Sequence, residues 1–78
     1  MRSLHRAIIH LREPARPGVR VLLSSMLLLM RGVRQVEFVP RESLVTVVFD
    51  HGETGLAEIV RAIEDVGPAV SSVAQRAA

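Results

Sequence analysis

Cysteine, lysine, asparagine, tyrosine and tryptophan do not occur in this chain of 78 residues, and phenylalanine occurs only twice. Without cysteine there can be no disulfide, no thiolate metal site and no thiol nucleophile. A domain this small must then be held by packing alone, helped at most by association with something else. With lysine absent, every strong base is an arginine. Long apolar runs are scarce too. The longest, Val21 to Met30, covers ten residues, half of the roughly 20 that a membrane-spanning helix needs. Arg31-Gly32-Val33-Arg34-Gln35 follows it, where a secretory signal would place small residues for cleavage. The expectation is a single cytoplasmic domain over 1–78, with its core in about 4–73 and a tail or linker at 74–78, and no membrane insertion by this segment.

What is present is hydrophobic surface and uneven charge. Hydrophobic residues make up 49% of the chain, more than a lone small domain needs to hide, which points to a partner, an adjoining domain or a homo-oligomer. The net charge is +2. Residues 1–34 hold seven Arg against one Glu, whereas residues 35–78 hold three Arg against seven acids. Folding brings the two halves together, so this asymmetry is expected to be largely neutralised within the domain.

The apolar periodicity divides the chain into six elements. In LHRAIIHLR (4–12) Ala7, Ile9 and Leu11 alternate with Arg6, Ile8 and His10, which reads as a strand. Pro14, Pro17 and Gly18 then break the ladder. The greasy run scans as a helix with Val19, Leu22, Leu23, Met26, Met30 and Val33 on one face. Arg20, Arg31, Ser24 and Ser25 fall opposite, where Val21 and Leu28 also project outward, and Gly32 ends the helix. VRQVEFV and LVTVVF are strand patterns joined by the turn Pro40-Arg41-Glu42-Ser43. Leu56, Ile59, Val60, Ile63 and Val66 mark a second amphipathic helix, capped by Gly67 and stopped by Pro68. Ala69 to Val73 is a short last strand. The order strand, helix, strand, strand, helix, strand predicts a ferredoxin-like βαββαβ sandwich of the α+β class, with a four-stranded antiparallel sheet and both helices on one face.

The segment GVRQVEFVPRESLVTVVFDHGETGLAEIVRAIEDVGPAV resembles the second half of a heavy-metal-associated (HMA-like) domain, a family found in copper chaperones and in the N-terminal extensions of metal-transporting P-type ATPases. Gly32-Val33, Phe49-Asp50, Ile59, Ala62, Ile63, Glu64 and Gly67 carry the match. The resemblance implies the same fold over about 4–73. The family's chemistry lies in a Cys-x-x-Cys between the first strand and the first helix, whose thiolates hold a soft ion. Here Arg16 and Val19 fall near those positions, and Pro68 stands where an aromatic residue is usual. A Cys-less member of this kind implies a docking or regulatory module, often joined to a transporter.

His5, His10 and His51 are the remaining metal-ligand candidates, together with Met26 and Met30, which the helical spacing assigns to the core. Antiparallel pairing of the first and third strands would bring His5 towards His51, with Asp50 or Glu53 nearby, and this pair is the alternative, metal-binding reading. RNA-recognition domains share the element order but stack bases on aromatic residues of the open sheet face. Ile8, His10, Leu44, Thr46 and Val48 occupy that face here, so nucleic acid is not an expected partner. Acylphosphatases share the topology, yet their catalysis needs an Asn that this chain lacks, although Arg16 sits in the corresponding loop. Ser24 and Ser25 have no His or acid at a telling spacing, so no enzyme activity and no cofactor are expected. The expected function is protein interaction or regulation, through an aliphatic patch drawn from Ile8, Val21, Leu28 and Val48 with Arg16 and Arg20 on its rim. The partner is expected to be another protein or an adjoining transporter domain.

Overall fold

Alternation along two strands fixes the core. Ala7, Ile9 and Leu11 are buried on the first strand and Val45, Val47 and Phe49 on another. Antiparallel pairing sets them side by side, Ala7 beside Val47 and Ile9 beside Val45. The intervening Ile8, Thr46 and Val48 are only half-buried on the opposite face, as the two-residue period of a sheet requires. The computed structural model describes residues 3–78. In it β1 (Leu4–Leu11), α1 (Pro17–Leu29), β2 (Val33–Val39), β3 (Leu44–Asp50), α2 (Leu56–Val66) and β4 (Val70–Ala77) follow in order, with a single 3-10 turn over Pro40–Glu42. The strands form one antiparallel sheet in the order β2-β3-β1-β4. Leu23 and Leu27 of α1 and Ile59 and Ile63 of α2 complete the buried cluster. This is the ferredoxin-like sandwich expected from the periodicity. Among the described residues no helix is long and apolar enough to cross a membrane.

Three local expectations are corrected. The buried stripe of α1 consists of Leu23 and Leu27, flanked by half-buried Val19 and Met30, while Leu22 and Met26 point outward. Nine of the twelve positions from 19 to 30 are apolar, so spacing alone allows several phases. Packing against a single sheet selects one narrow stripe. Val33, read as part of that helical stripe, is instead the buried first residue of β2. A bulge between Val33 and Gln35 lets Val33, Val36 and Phe38 face the same core despite their mixed parity. Residues 74–77, expected as tail, are the second half of β4 and pair with β1 from Ala74 beside Ile8 to Ala77 beside His5. Their side chains are exposed on both faces, which erases the alternation by which strands are recognised.

Gly67 caps α2, whereas α1 ends at Leu29 with Met30 as its cap, so Gly32 shapes the turn after the helix rather than the helix end expected of it. Gly67 has φ of 144° and closes α2, donating its N–H to the Ile63 carbonyl at 3.4 Å. Gly32 has φ of 92°. A Cβ there would lie 2.8 Å from Glu53 Cβ and 3.3 Å from the Asp50 carbonyl oxygen. That close approach lets the Gly32 carbonyl accept the Asp50 N–H at 2.7 Å, tying the end of β3 to the turn after α1. Gly32→Ala is therefore expected to cost about 1–3 kcal/mol, for the left-handed backbone and the crowding together. Leu27→Ala, which opens a cavity beneath α1, is expected to cost about 2–5 kcal/mol. Urea unfolding measures both, and a Gly32→Ala chain as stable as the parent contradicts the strained turn.

Candidate functional site

The loop between β1 and α1, where the resemblance implies a thiolate pair, holds no cysteine. Pro17 opens the helix at a position where a missing N–H costs nothing. Arg16, just ahead of it, is exposed, and Val19 turns inward against the core. Arg12, Arg16, Val19, Val66 and Pro68 line a shallow cleft here of about 400 Å³, between the first turn of α1 and the end of α2. None of them is a soft-metal ligand. Arg20 was expected on the rim of a contact surface. It is half-buried instead, and its Nη1 donates to the Ala15 carbonyl at 2.7 Å, so its guanidinium clamps the loop from inside.

The histidines lie at both ends of the sheet. At one end His5 and His51 do meet, with ring centroids 4.7 Å apart and the planes tilted by 32°. Phe49 stands beside them, its centroid 6.1 Å from that of His5. Register explains the contact, since His5 pairs with Phe49 across β1 and β3 and the His51 N–H donates to the Ser3 carbonyl at 2.7 Å. The nitrogens of His5 have partners already. Nδ1 is 2.9 Å from Gln75 Nε2, and Nε2 is 3.4 Å from Ser3 Oγ. The nearby carboxylates are engaged by another group, with Arg34 Nη2 3.2 Å from Glu53 and 3.9 Å from Asp50. His10 lies at the far end of β1, opposite Leu44 and Ser72. Among the described residues no three His, Asp or Glu side chains gather closely enough to hold a metal ion.

The most unusual surface was only half visible in the pattern. Along α1, Leu29 is 85% exposed, Val21 68%, Leu28 51%, Leu22 50% and Met26 40%. Five large apolar side chains thus stand on the outside of one helix of 13 residues. Val21 and Leu28 were expected there. Leu22, Met26 and Leu29 were missed because the phase of the stripe was misread. The other two candidates, Ile8 and Val48, sit half-buried on the open face of the sheet, on the opposite side of the molecule. The structure therefore splits the six candidate residues. Val21 and Leu28 share the helix surface, with Arg16 at its lip, whereas Ile8 and Val48 form a smaller patch elsewhere.

Comparison with known proteins places this geometry. No family model matches the chain, and no curated protein matches it in sequence. Solved structures do match. A putative copper-ion-binding protein from Bacillus anthracis is similar with a TM-score of 0.81 at 24% identity, over 91% of this chain and all of that one. A copper-binding domain from HMA7, a P-type ATPase, gives 0.81 at 18% identity over 92% of this chain and 97% of that one. Oxidized MerP from Ralstonia metallidurans gives 0.78 at 16% identity over 88% and 96%. The fold is the heavy-metal-associated fold. In this version of it Arg16-Pro17-Gly18-Val19 occupies the loop from which the resemblance would have two thiols project, and cysteine is lacking throughout. Titration with Cu(I) and with Zn²⁺, followed at the ring protons of His5, His10 and His51, is expected to show no saturable binding. Saturation in the micromolar range at His5 and His51 would restore the chelating reading.

Proposed function

We propose that this domain is a protein-interaction or regulatory module, with the outer face of α1 as its contact surface. The observation that carries the reading is the exposure of Val21, Leu22, Met26, Leu28 and Leu29 on one helix. Contiguous apolar surface of this kind is a mark of a contact site rather than of a free surface. Every 100 Å² of it removed from water contributes about 2.5 kcal/mol before the costs of association. Arg16 and Arg31, exposed at the two ends of the helix, supply a basic rim that selects acidic partner groups and speeds encounter more than it adds affinity. Ile8 and Val48 offer a second, smaller patch on the open sheet for an adjoining domain.

The heavy-metal-associated fold supports this reading in a second way. One structural neighbour is a domain of a P-type ATPase, and a domain of that shape without thiolates is suited to regulate a cation transporter by docking rather than to deliver its ion. The metal-chaperone alternative would need His5 and His51 as ligands, and the hydrogen bonds around His5 give it no support.

A photo-crosslinking residue placed at position 29 in cells is expected to give a discrete adduct, either with the chain itself or with another polypeptide. The same residue at position 42, in the exposed turn between β2 and β3, is expected to give none. No adduct at position 29, or equal adducts at both, would remove the interaction reading.

A further inference from the structure

We propose that the partner of α1 is a second copy of this chain, with the two helix layers packed face to face about a two-fold axis that runs along the helices. This rests on α1 being the contact surface and names what covers it. The charge distribution leads to the arrangement. The exposed ends of α1 are marked by Arg16 and Arg31, and neither the helix nor its flanking residues 15, 16, 30 and 31 carry an acid. The exposed surface of α2 carries Glu58, Glu64 and Asp65 against Arg61 alone. By charge, pairing α1 with its own copy is therefore disfavoured in either direction. A parallel pair sets Arg31 beside Arg31, and an antiparallel pair brings Arg16 of one helix to Arg31 of the other. Pairing α1 with α2 is favourable.

The fold allows both such pairings at once. The first turn of α1 and the end of α2 line one cleft, and Gly32, just past α1, approaches Glu53, just before α2. The two helices are thus antiparallel neighbours. A two-fold axis along them lays α1 of each copy over α2 of the other. Arg16 then comes over Glu64 and Asp65 of the second copy, and Arg31 over its Glu58. Arg61 falls near the middle, where α1 offers the exposed hydroxyl of Ser25. The receiving surface is prepared as well. Leu56, Ala57, Val60 and Val73 line a groove of about 580 Å³ between α2 and β4, rimmed by Arg61, Glu64 and Asp65. The contact is isologous, so it closes at two copies and does not propagate.

Sedimentation over a wide concentration range tests the arrangement. The chain is expected to form a dimer and nothing larger, with dissociation promoted by salt. Leu29→Glu is expected to weaken the dimer by at least about 100-fold, because a carboxylate would be buried against apolar surface, while its circular dichroism stays that of the parent. A chain with Arg16→Glu and Arg31→Glu, and another with Glu58→Arg and Glu64→Arg, are each expected to be monomeric. Mixed in equal amounts they are expected to form a heterodimer, because both contacts then pair opposite charges. A monomer at all concentrations up to millimolar, a dimer indifferent to Leu29→Glu, species larger than two, or a mixture that stays monomeric would each overturn the proposal. A monomer that still cross-links through position 29 to a different polypeptide overturns the second copy alone. A monomer with no adduct removes the interaction reading too.

Discussion

One sheet with one covered face is the constraint on which everything else depends. The paired rows of β1 and β3 present Ala7, Ile9, Val45, Val47 and Phe49 to one side, and that surface accommodates only a narrow stripe from each helix. Leu23, Leu27, Ile59 and Ile63 fill it. In α2 the supply of large aliphatic residues roughly equals this demand, and its outer surface mixes Glu58, Arg61, Glu64 and Asp65 with Ala57 and part of Leu56 and Val60. In α1 the supply is about twice the demand. The surplus has no place inside a two-layer fold of this size, so the exposed face of α1 follows from the geometry of the sheet as much as from the composition of the helix.

That imbalance also explains what could be read in advance. Elements with contrast between their faces were legible. β1, β3 and α2 each alternate cleanly, and the contact of His5 with His51 followed from antiparallel register alone. Elements without contrast were not. α1 is apolar almost all round, so its phase was decided by the sheet. The second half of β4 is exposed all round and is held by backbone hydrogen bonds to β1, which leave no side-chain signature. The split of the candidate contact residues between helix and sheet, and the inward turn of Arg20 to Ala15, are three-dimensional facts that a linear pattern does not encode.

The loop ahead of α1 shows how little needs to change for a fold to change its chemistry. A Cys-x-x-Cys loop is a pair of soft donors held open to an exchange partner. Where the resemblance would place two thiol donors, Arg16-Pro17-Gly18-Val19 offers an exposed guanidinium and a side chain packed against the core. An exposed guanidinium at this point repels cations and attracts carboxylates.

The pairing of the first strand with the last has a mechanical consequence. β1 begins and β4 ends at the same pole, where His5 lies opposite Ala77 and the Ala78 N–H donates to the Leu4 carbonyl at 3.0 Å. Tension applied through the two ends would load this ladder one rung at a time, in peeling rather than in shear. The Gln75–His5 contact sits close behind the first rungs and is the first side-chain bond to be strained. Between two bodies that move apart, the domain would open from this corner under small forces, with the outer surface of α1, on the helix layer, still intact.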